Sequence, residues 1–469
     1  MSRGTEEGRR QRADVAYFSE PEARARALAE LVEAARDSIV LQMYLLAASD
    51  ELITLKARPG LEGWARTFAG WLVDKRRRCP EVSIVVLLDT QTPDDPQLTR
   101  GKRGPLTRHI LEEAGITVLN ANLFETTFDG RERSFLPGAG FHRGGWREPH
   151  PRWVARQRRW QNIHNVEDHR KNLIIDGGRY AAVTSHNIID LARDWRENLL
   201  VVSGAAAVEI FDEARHSLNL ALKLPQRISD TQREEVEAIC ARAPAPNPPL
   251  STQGFMGLSP ARVRVLGGQE TREAITARVE GLRREETSSI SMASAYCSDN
   301  DLLETLFEAP PHQHIRLLID DCAGLPLPRP MSAVVTTFVN LRCTAMARAS
   351  QRPQIEVRQW SSRGREMMHL KSAIFLGAQR TFIGGQANYT PNSFSGAWLE
   401  TDLDIESEEV VQAFLGQFEA LWAAAKPVPG RHQAATRGPV KGAMAAARRG
   451  LDRVLLVILS VLEALGLRP

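Results

Sequence analysis

Two short apolar runs, 200 residues apart, limit what this chain can fold into: His169-Arg-Lys171-Asn-Leu-Ile-Ile-Asp176 and His369-Leu-Lys371-Ser-Ala-Ile-Phe-Leu376. Each is short, apolar and closed by glycine (Gly177-Gly178 and Gly377), the pattern of a strand ending in a turn. Residues i and i+2 of a strand share a face. Each copy therefore projects one imidazole beside one ammonium, and the repetition implies a duplicated unit.

The flanking sequence repeats as well. Helical periodicity begins at Glu22 and again at Glu270, and buried-strand runs follow at Val82–Asp89 and Ile315–Asp320. Alternating strands and helices in both halves predict an α/β sheet packed between helices in each. A length of 469 residues suits more than one core. The reading divides the chain into a disordered start (1–16), a first lobe (17–225), a Pro-rich linker (226–258), a second lobe (259–427) and a basic segment with an apolar helix (428–469). The linker is marked by Ala243-Pro-Ala-Pro-Asn-Pro-Pro249.

Composition excludes some functions. A net charge of +3 gives no global field for nucleic acid, so any basic site is local. Five cysteines without CxxC spacing argue against a zinc site and a disulfide framework, and fit a reducing compartment. The polar N-terminus has no apolar core of a signal peptide.

After each His/Lys strand a hairpin returns to a small polar group, Thr184-Ser185-His186-Asn187 and Gly384-Gly385-Gln386-Ala387-Asn388, and a carboxylate follows, Glu197 or Glu400. These are parts that phosphodiester cleavage needs. Lys171, Lys371, Asn187 and Asn388 can hold the phosphate oxygens. One of His169 and His369 can attack phosphorus while the other protonates the leaving oxygen. Glu197 and Glu400 can fix the imidazole tautomers. The lysines take over the charge neutralisation a metal would provide, so neither metal nor other cofactor is expected.

Over roughly residues 17–425 this set resembles the phospholipase D superfamily, and the first copy satisfies the full HxKxxxxD pattern. The resemblance implies two α/β sandwich lobes related by a pseudo-two-fold axis, with one active site at their interface. It implies a covalent phosphohistidine, then transfer to water or an alcohol, with His169 as nucleophile and His369 as acid. The context of the first motif, Asp168 to Gly177, is similar to bacterial lipid-acting, cardiolipin synthase-like members, and with the basic and apolar tail at 428–469 this makes a membrane phospholipid the expected substrate and a nuclease the alternative. The sequence departs from the pattern at Leu376, in place of the second Asp, and at Thr184-Ser185 and Gly385-Gln386, in place of Gly-Ser. Asp176 is expected to be structural.

Other segments carry weaker signals. The stretch 143–160 interleaves Arg with Trp146, Trp153 and Trp160, which suits anionic headgroups, nucleic acid or a solvated loop. His164 is expected on the approach to His169. His312 and His314 have metal-like spacing that alone means little, and Gly267-Gly268 reads as a turn. In the tail, Lys441, Arg448, Arg449 and Arg453 precede an apolar run, Val454–Leu467, shorter than the roughly 20 residues that span a bilayer. Basic residues before an apolar helix predict a membrane-surface anchor on a cytoplasmic protein.

Overall fold

The computed structural model describes residues 10–48, 63–89, 107–121, 167–223, 228–243, 257–285, 288–323, 340–362, 366–394 and 398–428, with residue 226 and four three-residue strands between 124 and 147. Residues 148–160, with His164, and the apolar tail lie outside the described residues.

The organising element is one sheet of 15 strands. From one edge the order is Lys426–Pro427, Ile355–Trp360, Gln313–Asp320, Ser288–Ser294, Lys371–Leu376, Arg380–Gly385, Asp402–Glu406 and Ser259–Leu266. It continues with Gln11–Phe18, Leu199–Ser203, Tyr180–Thr184, Lys171–Ile175, Ser38–Met43, Ser83–Leu88 and Thr117–Asn120. Apart from the two-residue edge strand, the second list mirrors the first. Each lobe is a seven-stranded half, and the halves meet where Gln11–Phe18 pairs antiparallel with Ser259–Leu266. Ala13 opposes Ala261 there, at the centre of the paired stretch Gln11↔Val263 to Val15↔Ser259. The His/Lys strands occupy mirror places, each antiparallel both to its hairpin partner and to the inner strand on its other side, Ser38–Met43 or Ser288–Ser294.

Helices cover both faces, as the buried apolar runs require. Ala205–Ala221 and Glu408–Ala424 share one core with the inner strands of both lobes, through Phe211, Leu218, Phe414 and Phe418. On the opposite face Pro21–Ala34 and Trp64–Arg78 cover the first lobe, and Gly268–Leu282 and Asn300–Phe307 the second.

Two boundaries differ from the sequence reading. The start is not disordered throughout: residues 11–18 form the strand at the seam. Arg10, just before it, pairs with Asp404 (2.9 Å) and Glu406 (3.2 Å), both far along the chain, so locally the segment reads as a charged tail. The stretch assigned to a linker contains a helix, Asp230–Ala241. Ser229 and Gln232 close a capping box at its start, and Val236 and Ile239 dock in the core.

Asp176 adopts φ 49° at the end of its strand. Its carboxylate accepts from the backbone N–H groups of Arg36 (3.0 Å), Asp37 (2.7 Å) and Ser38 (3.0 Å). Leu376 continues its strand instead, pairing with Ser289 and Arg380. The second lobe ties the same hairpin from the other side, with Glu285 accepting from Ala378 N–H (2.8 Å).

Candidate active site

Backbone pairing between the lobes builds the site. The two residues before His169 run parallel to the start of the second lobe's Trp-x-Glu segment, Glu167 opposite Trp398 and Asp168 opposite Leu399. On the mirror side Met368 bridges Arg196, and His369 N–H donates to Arg196 O (2.9 Å). Each His/Lys strand is thus threaded beside the other lobe's carboxylate.

The side chains follow that crossing. His169 Nδ1 lies 2.9 Å from Glu400 Oε1, and His369 Nδ1 lies 2.8 Å from Glu197 Oε1. A carboxylate at Nδ1 favours the Nδ1–H tautomer and leaves the Nε2 lone pair for chemistry. Lys171 Nζ donates to His169 O (2.5 Å) and lies 3.2 Å from His169 Nδ1. Lys371 Nζ lies 2.8 and 3.0 Å from the two ring nitrogens of His369, and reaches across the lobes to Ser185 O (3.1 Å). Both lysines are fully buried.

Asn187 and Asn388 each bury an Oδ1 with no hydrogen-bond partner. A half-turn of the amide would present the Nδ2 donors there instead. Ser185 Oγ donates to Glu197 Oε2 (2.5 Å), and His186 Nδ1 pairs with Thr184 Oγ1 (2.7 Å). Gln386 Nε2 donates to Asn172 Oδ1 (2.7 Å), another contact between lobes.

Charge is unequal across the site. Burial, with Lys171, Lys371 and His369 nearby, holds His169 well below the usual imidazole range. Burial and Lys371 bring His369 down to about 4, against the opposing pull of Glu197. Burial would raise Glu197, but His369 and Lys371 outweigh it and bring it to about 2. Glu400 goes the other way: burial and Asp402 push it well up despite both lysines. Burial lowers Lys371 to about 7. A bound anion would restore charge to the lysine and imidazole facing it.

Several contributors escaped the sequence reading. His169 lies between Tyr44 (ring centroids 4.3 Å) and Trp398 (4.8 Å, stacked), and His369 between Trp195 (5.2 Å) and Tyr296 (5.9 Å). The recurrence of Trp-x-Glu, and of Tyr just after the second strand of each lobe, was the available signal. The central strands also end in matched carboxylates. Asp89 accepts from Asp168 N–H and Asp320 from Met368 N–H (2.8 Å), in each case the residue before the histidine.

The remaining sequence candidates lie elsewhere. His312 Nε2 contacts Arg283 O (3.0 Å) and His314 is exposed. Among the described residues no cluster of three His, Cys, Asp or Glu is placed to hold a metal ion. Gly267-Gly268 starts a helix instead of making a free turn, and a Cβ on Gly268 would sit 1.9 Å from Ser393 O.

Residues 284–422 match a family described as "Cardiolipin synthase, PLD-like domain". No curated protein matches the chain. Among solved structures, the phosphatidylserine synthase of Haemophilus influenzae Rd KW20 is 11% identical and covers 94% of each chain, with a TM-score of 0.51. The polyphosphate kinase of Porphyromonas gingivalis is 11% identical over 87% of this chain and 50% of that one, with a TM-score of 0.44. Nuc, a phospholipase D family member from Salmonella typhimurium, is 17% identical over 36% of this chain and 97% of its own, with a TM-score of 0.26.

Proposed function

We propose that this chain, with a PLD-like domain match over residues 284–422 and the fold of a phosphatidylserine synthase, is a phospholipase D-type enzyme that breaks a phosphodiester bond of a membrane phospholipid and passes the phosphatidyl group to water or an alcohol. The observation that carries the reading is the pair of crossed imidazole–carboxylate contacts in one buried site. His169 Nε2 attacks phosphorus while the P–O bond to the leaving alcohol breaks, and His369 gives that oxygen its proton. The acceptor's O–H then returns a proton to His369 as its oxygen attacks phosphorus, and the P–N bond breaks to free His169. Lys171, Lys371, Asn187 and Asn388 hold the non-bridging oxygens, and the two lysines balance the charge that builds on them.

The matched family description and the fold shared with a phosphatidylserine synthase support the lipid substrate. Incubation with mixed labelled phospholipids and glycerol, followed by product identification, tests it. Free headgroup alcohol with phosphatidic acid means hydrolysis, and a phosphatidylglycerol product means transfer. Cleavage of DNA or RNA with no action on vesicles would replace this reading with the nuclease. A phosphohistidine trapped on the wild type and absent from His169→Ala is the expected covalent intermediate.

The basic and apolar tail supports contact with a membrane surface. Among the described residues no helix is long and apolar enough to cross a membrane. Truncation after Gly430 should abolish co-sedimentation with anionic vesicles, and undiminished binding would refute the anchor.

A further inference from the structure

The two halves of the site correspond closely, with one difference in charge. A strand begins two residues after each glutamate: Leu199–Ser203 after Glu197 and Asp402–Glu406 after Glu400. The mirror positions are therefore Leu199 and Asp402, both completely buried. The second lobe sets a further carboxylate near Glu400 where the first lobe has hydrocarbon.

The hydrogen bonding is unequal too. Asp402 is fully occupied, with Oδ1 accepting from Gln386 N (2.6 Å) and Ala387 N (3.2 Å) and Oδ2 from Thr271 Oγ1 (2.7 Å). Glu197 has a donor on each oxygen, His369 Nδ1 and Ser185 Oγ. In Glu400 both contacts, from His169 Nδ1 and Ser393 Oγ (3.2 Å), fall on Oε1, and Oε2 is buried with no hydrogen-bond partner. When two carboxylates share a dry pocket, one keeps a proton, and it is the one with fewer donors.

We propose that Asp402 is a positioning residue that keeps Glu400 uncharged, and thereby makes His169 the imidazole that stays unprotonated to attack while His369, against anionic Glu197, is the ring that takes up the proton when the anionic substrate binds. The inference deepens the phosphohistidine reading and rests on it for the roles of the two rings. The raised proton affinity of Glu400, to which Asp402 contributes, and the low one of Glu197 agree with it. Other groups bear on the pair. Lys171 and Lys371 favour ionisation of Glu400, and Lys171, Lys371 and His369 oppose protonation of His169. The rings of Tyr44 and Trp398 face His169 from either side.

The test is a histidine ring titration of the full chain, ¹⁵N-labelled at histidine, with His169 and His369 assigned by single replacement. In Asp402→Asn the amide keeps the volume, and its oxygen still accepts from Gln386 and Ala387. Glu400 then ionises against His169. The His169 midpoint should rise by about one to three pH units while that of His369 moves far less. Glu400→Gln should leave the His169 midpoint near its wild-type value, and the double variant should cancel the rise. An unmoved His169 in Asp402→Asn, or a rise that persists in the double variant, would overturn the proposal. Should Asp402→Asn not fold, Glu400→Gln decides alone: a fall of more than one unit at His169 would mean that Glu400 was already anionic. The titration needs no turnover. Expected midpoints in a protein that forms no phosphohistidine would overturn the enzymatic reading and leave the charge assignment standing.

Discussion

Glu197→Gln separates the charge of the carboxylate from its shape. The amide fills the same volume and keeps an oxygen for His369 Nδ1, now 2.8 Å from Glu197 Oε1, so the ring has no reason to move. What disappears is the negative charge, held down to about 2 in the fold by His369 and Lys371. A hydrogen bond to a charged group is worth roughly 1.5–3 kcal/mol and a neutral one about 1. His369 in its protonated form therefore loses about 1–2 kcal/mol of support, or roughly 5- to 30-fold in a step that needs its proton. The assay compares two phosphodiesters, one releasing an aliphatic alcohol and one releasing nitrophenol, which departs as a stable anion without a proton. The first should slow by the full factor and the second by less than about 3-fold. Because Glu197 acts through His369, Glu197→Gln should cost little more when added to His369→Asn. Equal losses on both substrates, or full additivity with His369→Asn, would refute the crossed assignment.

Four further outcomes follow from the packing around the site. His186 is buried and its proton affinity is depressed to about 3, chiefly by burial. Below pH 6.5 the unfolded chain holds a proton that the folded one lacks, so stability falls by about 1.4 kcal/mol per pH unit as the pH drops toward 3. His186→Gln should flatten denaturant-derived stability by that slope between pH 6 and 4, and an unchanged slope would show that the ring is not buried neutral. Asp320, raised to about 7 by burial, acts with the opposite sign and loses stability as the pH rises from about 4 to 7; Asp320→Asn should therefore gain relative to wild type on going from pH 5 to pH 8. Asp176→Ala removes the acceptor for three backbone N–H groups and places alanine at φ 49°, which should cost about 2–4 kcal/mol in chemical denaturation, with Asp176→Asn costing less. Gly268→Ala drives a methyl against Ser393 O, and Ser393 is a donor to Glu400, so a thermal-unfolding loss of about 1–3 kcal/mol should come with a shifted His169 titration.

How far the site could be read from sequence depends on the range of the interaction involved. The His/Lys strands, their hairpins and the parallel strands beyond them rest on local periodicity, and Lys171–Ile175 and Lys371–Leu376 lie inside the runs the pattern marked, although both strands begin at the lysine and leave His169 and His369 just ahead of them instead of on the strand. The strand at 11–18 did not announce itself, because Arg10 finds Asp404 nearly 400 residues away and the intervening chain says nothing of that pairing. Residue type also could not say which carboxylate serves which ring. Within either half, His, Lys, Asn and Glu occur in the same order, and a reader of one half would join Glu197 to His169. The pairing is decided by the sheet. With Gln11–Phe18 and Ser259–Leu266 antiparallel about Ala13 and Ala261, the two His/Lys strands are brought into mirror positions, and Asp168 and Met368 pair with the opposite lobe's Trp-x-Glu segment. A slip of one residue at a strand pairing turns every side chain to the other face. The same slip between the lobes would take Glu400 from His169 and Glu197 from His369 together. The seam strand read as disorder is therefore part of what assembles the site, and weakening it should disable both imidazoles at once.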